Sequence, residues 1–376
     1  MSIFKHGLTV PLIILISFLQ KCSNAEQTTL KKAAPKDDYY HLKDFYKLKK
    51  YDTHVHINVE DTTLIKQAEA DNFRLLTVNV TPAYYPSIEE QQRIATRLVD
   101  AYPGRLAYAT SFSLENWNND DWQQKTLAYL QESFKKGAIA VKVWKNVGME
   151  LKDSAGRFIM IDNVKFEAVL QYLEKNKIPL LGHLGEPRNA WLPLAEMNIK
   201  GNQHYFSKHP EYHMYLHPEY PSYQDQVQAR DRMLEQHPGL QFIGAHLGSL
   251  EWSTDELGKR LDRFPNMAVD MAARLSSLQF QCVDEWQKVR NFFVKYQDRL
   301  LYATDIEAGG TINPPQLRKR IHDSWMNDWN FFVGDSTMHS TGFDAAFKGL
   351  RLPRTVVDKI YHANAEKWFP GINKRG

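Results

Sequence analysis

Eight short apolar runs, spaced along the chain with longer amphipathic stretches between them, constrain this protein more than any other feature. The runs cover residues 51–57, 75–80, 106–112, 138–144, 178–183, 241–246, 267–271 and 300–305. Helical patterns fall at 88–102, 122–136, 163–175, 224–236, 254–263 and 283–295. Runs that are apolar throughout, alternating with helices, read as a parallel sheet covered on both faces. Eight such units favour closure into a (β/α)8 barrel. An open doubly wound sheet fits less well, because no glycine-rich phosphate loop follows any run and eight units overfill a sheet of ordinary size. The expected class is therefore α/β, a TIM barrel over residues 50–376. It carries an inserted loop region after strand five, roughly 189–222. That insertion holds Trp191, Tyr205, Phe206, Tyr212, Tyr215 and Tyr220, with His204, His209, His213 and His217. A long loop at the C-terminal end of a barrel strand sits over the mouth as a lid; a self-packed surface excursion is the alternative.

The start of the chain is a different kind of sequence. Lys5 and His6 precede an apolar stretch from Gly7 to Leu19, too short to cross a bilayer at about 20 residues per span. A basic start, a short apolar middle and small residues beyond it form the pattern of a secretory signal, expected to occupy residues 1–25. Leu19-Gln20-Lys21-Cys22 has the Leu and Cys of a lipoprotein processing site, although Lys21 stands where a small residue is expected. Ser23-Asn24-Ala25 offers ordinary cleavage instead. Residues 26–49 read as a polar tether and lead-in. The expectation is an exported protein, in the bacterial periplasm or anchored to the membrane through lipidated Cys22. Charge balances closely, 47 Lys+Arg against 44 Asp+Glu for a net +3, and no concentrated basic block suggests nucleic acid. Two cysteines exclude a disulfide framework, and a mean hydropathy of −0.51 excludes a multi-span membrane protein.

Polar residues stand at the ends of several apolar runs. His54 and His56 lie two apart on strand one and project to one face. A single histidine in an apolar strand is commonly a hydrogen-bonded core residue, but two on an inner barrel face both need partners. His183 closes the fifth run, His246 the sixth and Asp305 the eighth. Parallel barrel strands bring their C-terminal ends to one face, so these side chains converge. Three or four imidazoles with one carboxylate form an N/O set suited to Zn²⁺, or to Mn²⁺, Fe²⁺ or Co²⁺.

In this order and context the motifs resemble the amidohydrolase superfamily, specifically its amidohydrolase-related (amidohydrolase-2) branch. The resemblance runs from about residue 50 to 370. It includes the segment from Gly137 to Trp144, Pro179–Glu186 (PLLGHLGE), His237–Gly248 (HPGLQFIGAHLG), Arg263–Asn266, Asp298–Asp305 (DRLLYATD) and Asn364-Ala365. It implies a metal-dependent hydrolase in which His54, His56, His183 and Asp305 hold one divalent ion, most simply Zn²⁺. Asp305 then accepts a proton from the activated water, and His246 polarises the substrate carbonyl or serves as general acid/base. The expected reaction is cleavage of an amide, lactone or ester-type bond of a small molecule. Non-oxidative decarboxylation is the alternative within the same branch, and a ligand-binding lipoprotein on an inactive barrel is a third. Lys142 would bridge two metals only if carboxylated; as a plain lysine it is a buried or mouth-lining cation, a role open to Lys145 as well. Glu115 and Glu186 are candidates to orient imidazoles. Arg188 and Arg274, after strands five and seven, are candidates to bind substrate, whereas Arg74 and Arg105 belong to the far end of the barrel. Trp144, Trp252 and the tyrosine-rich insertion suit a flat or sugar-like substrate.

Overall fold

The apolar runs do pair as parallel strands. In the computed structural model, which describes residues 38–82, 84–308 and 313–374, nine strands form one sheet. They are β1 (Lys50–Ile57), β2 (Phe73–Val78), β3 (Leu106–Thr110), β4 (Ala140–Val143), β5 (Leu180–Gly182), β6 (Phe242–Gly244), β7 (Met267–Asp270), β8 (Leu300–Leu301) and β9 (Ile306–Ala308). β1 to β8 each pair in parallel with their sequence neighbours and β9 pairs with β1, so the order is β8-β7-β6-β5-β4-β3-β2-β1-β9. β8 and β9 belong to one chain segment, whose first half pairs with β7 and whose second half pairs with β1. Between them the Thr53 N–H donates to the Tyr302 carbonyl at 3.1 Å and the Asp305 N–H to the His54 carbonyl at 2.8 Å. That segment carries the sheet round into a (β/α)8 barrel.

Alternation along each strand separates two apolar layers. Leu75, Val141, Leu180, Phe242, Met267 and Leu300 belong to the outer cluster under the helices. Leu76, Ala140, Leu181, Ile243, Ala268 and Leu301 form the inner cluster, joined by Trp368 and Phe369 of the C-terminal segment. A step of two along β4, β5 and β7 from the inner layer leads to Lys142, His183 and Asp270. β1 follows a different phase. A register shift between Asp52 and Val55 moves the inward positions from Tyr51 to His54 and His56, while Val55 and Ile57 turn outward.

Three strand expectations need correction. The ladders stop at Gly182, Gly244 and Leu301, so His183 and His246 lie just beyond β5 and β6, and Asp305 lies in the link between β8 and β9, directly before Ile306. The backbone leaves the extended region there: His246 has φ 57° and Asp305 φ 68°, left-handed values seldom held by non-glycine residues. Helix expectations also shift. The predicted 283–295 helix begins at Leu275, and helices Thr63–Ala70 and Pro314–Val333 were not anticipated. The latter carries Leu317, Ile321, Trp325 and Trp329 on one buried stripe behind an Asn313 cap. It fastens β1 from outside the barrel. The Trp325 ring stacks on Phe73 at 4.1 Å, and its Nε1 donates to Asp52 Oδ2 at 3.0 Å.

The insertion does what both readings required. It packs a small core of Ala190, Met197, Phe206 and Met214 with Met149, and it presents Asn202 and Tyr205 to the barrel mouth. Of the lead-in, residues 38–49 pack against the barrel: Phe45 is buried against Phe73, and the Tyr40 hydroxyl donates to Asp358 at 2.6 Å. The expected signal at 1–25, Cys22 included, lies outside the described residues. Among the described residues no helix is long and apolar enough to cross a membrane.

Trp325→Phe keeps the stack on Phe73 but leaves buried Asp52 without one of its donors. Denaturant unfolding should show a loss of about 1–3 kcal/mol, the cost of an unmet buried acceptor. Trp325→Ala should cost more, about 3–5 kcal/mol.

Candidate metal centre

The mouth of the barrel holds a cavity of about 400 Å³ lined by His54, His56, Lys142, His183, His246 and Asp305 among others. Each side chain arrives there for a local reason. The β1 shift turns in His54 and His56, and alternation along β4 and β5 brings Lys142 and His183. Left-handed turns after β6 and β8 bring His246 and Asp305. Strict alternation from Ile243 would have pointed His246 outward, and the positive φ at His246 and Leu247 reverses it. Such backbone costs free energy and persists where surrounding structure over-determines it.

Hydrogen bonds at the Nδ1 atoms decide what the imidazoles can do. His54 Nδ1 lies 2.8 Å from Asp270 Oδ2, His56 Nδ1 2.9 Å from the Val78 carbonyl, and His246 Nδ1 2.9 Å from the Ala272 carbonyl. All three partners are acceptors, so each Nδ1 carries the proton, which leaves each Nε2 to present its lone pair elsewhere when it serves as a ligand. His56 Nε2 is 3.2 Å and His54 Nε2 3.5 Å from Asp305 Oδ1. One ligand atom from each of His54, His56 and Asp305 lies within 4.8 Å of the others. Two lone pairs and a carboxylate oxygen facing one another repel unless a cation joins them. The donor set therefore fits a divalent metal ion. Lys142 supplies one positive charge there already, with Nζ 3.3 Å from His54 Nε2.

Burial sets the charge states. It depresses His54, with Lys142 adding to the effect and Asp270 opposing it. It also holds His183 well below the usual imidazole range, reinforced by His246, Lys142, Lys145 and Arg274. His246 is pushed down to about 3 by burial, against the attraction of Asp305. Burial alone would raise Asp305, but the surrounding imidazoles of His246, His56 and His54 hold it well below the carboxylate range. Asp270 is likewise opposed by burial yet lowered, chiefly by His54. Lys142 drops to about 8 through burial, with Asp270 and Asp305 opposing. Neutral imidazoles beside ionised carboxylates are the states that metal ligation requires.

His183 stands apart from the three-residue group. Its ring packs edge-on against His246 at 4.2 Å, and its buried Nε2 has no hydrogen-bond partner. Glu186 Oε2 lies 4.0 Å from that atom, while the other Glu186 oxygen is tied to Lys145. Lys145 is thereby neutralised, under Tyr212 at 3.5 Å from the ring centre. Trp144 and Arg274 line the cavity. Arg188 does not: its exposed guanidinium covers the Trp252 ring at 4.2 Å, and neither residue is part of the cavity lining. Glu115 lines a separate cavity with Trp122 and Asn116 rather than the one that holds the histidines. Arg74 and Arg105 bond to Tyr51 Oη and the Phe73 carbonyl near the starts of β1 and β2, at the far end as expected.

Sequence reading missed two carboxylates. Asp270 accepts from His54 and also from the backbone N–H of His246 at 2.8 Å. Its signal was available: a lone acid ending an apolar strand, as at Asp305. Asp52 accepts from Thr304, Trp325 and the His54 N–H, and burial raises it to about 7. Tyr84, Tyr85 and Glu307 also line the cavity, and only folding brings them there.

A family model described as "Amidohydrolase" matches residues 51–371. No curated protein matches the chain. Among solved structures, similarity extends to a candidate 2-pyrone-4,6-dicarboxylic acid hydrolase from Pseudomonas putida, at 12% identity over 86% of this chain and 98% of that one, TM-score 0.46. A D-hydantoinase from a Thermus species shares 12% identity over 72% and 60%, TM-score 0.43. An amidohydrolase from Mycobacterium avium subsp. paratuberculosis shares 13% over 83% and 74%, TM-score 0.41. At scores below 0.5 none of these decides a residue's role.

Asp270→Asn should keep the fold and lower metal affinity about 10- to 100-fold, since it removes the partner that orients His54. Titration of the chelator-treated protein with Zn²⁺ checks this, with circular dichroism as the fold control.

Proposed function

We propose a reaction from the premise that this chain belongs to the amidohydrolase family. The protein is a metal-dependent enzyme of that family, and the reading supported best is hydrolysis of an amide, lactone or ester-type bond in a small molecule. The observation that carries it is the convergence of His54 Nε2, His56 Nε2 and Asp305 Oδ1. In this reading those residues hold one divalent ion, with His183 as a further ligand, and Zn²⁺ suits the N/O set best. Such an ion supplies Lewis acidity and makes hydroxide available from water near neutral pH. A second ion enters the reading only if Lys142 is carboxylated.

The remaining work falls to the chain's own side chains. Asp305, ionised and half-buried, accepts the proton that the attacking water gives up. His246 is neutral, with Nδ1–H committed to the Ala272 carbonyl, so its Nε2 is an acceptor. That favours His246 as a base over a role as donor to the substrate carbonyl. The lining of Tyr84, Tyr85, Trp144 and Tyr205 excludes water from the faces of a flat substrate. Export, through lipidation at Cys22 or cleavage after Ala25, belongs to this proposal and rests on the N-terminal pattern.

His246→Asn should keep its metal and lose about 10²- to 10⁴-fold in turnover, whereas His54→Ala and Asp305→Ala should lose both. Elemental analysis and assay on an ester, lactone and amide panel provide the check. Retained turnover in a metal-free His54→Ala variant would overturn the reading. Recovery of intact Met1–Leu19 from native-host protein would sink the export proposal.

A further inference from the structure

A second cavity lies beside the metal centre, and nothing in the reaction proposed above uses it. It holds about 510 Å³ between the loops after β2 and β3, helix Trp122–Lys135 and Asn146 beyond β4. The loops and Asn146 follow strand C-terminal ends, so this cavity and the histidines share one end of the barrel. Val80 and Tyr85 line both cavities, and the Tyr85 ring lies 5.7 Å from that of His56. The volume suits a group of small-molecule size.

The shared wall is built in advance. Buried Gln91 donates from Nε2 to the Val80 carbonyl at 2.7 Å and to the Pro86 carbonyl at 2.6 Å, and its Oε1 accepts from the Val80 N–H at 3.0 Å. One side chain thus pins both ends of the loop that carries Tyr85. Asn146 Nδ2 donates to Thr81 Oγ1 at 2.9 Å and fastens the same loop to the end of β4. A ligand here does not have to order this wall, which lowers the cost of binding.

Lining chemistry selects the ligand. Phe112 and Trp122 are buried and pack edge to face at 6.0 Å, and Ile88, Leu114 and Tyr129 add apolar surface. The Trp122 N–H is committed to the Ser113 carbonyl at 3.0 Å, so the ring has only apolar surface left to present. Charge in the lining is one-sided, with Glu89, Glu115 and Asp121 against Lys125. Asp121 holds Lys125 at 2.7 Å, whereas Glu89 and Glu115 make no ion pair among the described residues. The metal cavity differs, since Lys142, Lys145 and Arg274 match Glu186, Asp305 and Glu307 there. Nor are the carboxylates of the second cavity gathered to chelate a small ion. Among the described residues, only His54, His56 and Asp305 bring three such ligand atoms within 4.8 Å of one another. A cation that fills an apolar cavity and meets separate carboxylates is an organic ammonium, which aromatic rings also favour.

We propose that the substrate carries an organic ammonium group that lodges in this cavity while its scissile bond lies at the metal centre. The proposal rests on the hydrolase reading for the bond cleaved, so binding and turnover are measured separately. The binding probes are phenyltrimethylammonium and its uncharged isostere tert-butylbenzene, compared by ligand NMR on the full-length, Zn²⁺-loaded protein. A quaternary ammonium has no lone pair and cannot ligate the metal. The wild type should prefer the cation about tenfold. Glu89→Gln/Glu115→Gln changes two exposed side chains and should bring that preference below about threefold, since it removes the charges and leaves the rings. Glu132→Gln, exposed on helix Trp122–Lys135 but outside the lining, should keep it. For turnover, each ester, lactone and amide of the panel is made as a trimethylammonium compound and as its tert-butyl isostere. Wild-type kcat/KM should favour the cation about tenfold, and the double variant should lose that ratio. No binding preference in the wild type, or its survival in the double variant, overturns the ammonium site. A binding preference with equal kcat/KM for both members of the pairs that turn over overturns its use by the substrate. A binding preference with no turnover of any panel member overturns the hydrolase reading and supports the ammonium site.

Discussion

The site depends on where three imidazole protons go. Asp270, the Val78 carbonyl and the Ala272 carbonyl each accept from an Nδ1. Each hydrogen bond fixes a tautomer and a ring orientation, and so decides that an Nε2 lone pair faces the cavity. With the tautomers reversed, the same histidines would present N–H groups to the cavity and could ligate nothing. Two of the anchors are backbone carbonyls, whose acceptor character no side-chain substitution removes. The third, Asp270, also takes the His246 backbone N–H and thereby ties the β6 turn to the β7 end.

That arrangement needs an unusual backbone, and the barrel supplies the support. His246, Leu247, Ser249, Ala273 and Asp305 all have positive φ, and all lie at strand ends around the mouth. The strain is held by packed layers on both sides of the sheet and by Trp325 braced on Phe73 and Asp52. Asp52 links these levels: it lies two residues before His54, accepts the His54 N–H, and accepts from Thr304 beside Asp305. One buried carboxylate thus registers the two ends of the barrel seam against each other.

Beyond the centre, the mouth is shaped by parts of the chain far apart in sequence. The insertion contributes Asn202 and Tyr205, and a loop near the C-terminus fastens it through Gly342. Lys145 and Glu186 neutralise each other beside the Tyr205 and Tyr212 rings, and Lys142 and Arg274 add further positive charge to the lining.

The sequence by itself determined the eight-unit alternation, the family and the convergence of His54, His56, His183, His246 and Asp305 on one mouth. Those follow from apolar periodicity and from polar residues ending apolar runs, which are local properties. Asp270 obeyed the same rule and was legible, though overlooked. The long helix at Pro314–Val333 was legible in its Leu317-Ile321-Trp325-Trp329 stripe. Other facts were not local. The register shift that turns His54 inward arises from pairing with β2, and the positive φ at His246 is held by neighbouring strands. The place of Arg188 outside the cavity lining reflects a Trp252 ring more than sixty residues away, and the pairing of Lys145 with Glu186 joins two strand ends. Tertiary structure decided these because a side chain's direction and charge partner depend on contacts between segments, and composition and spacing along the chain do not encode them.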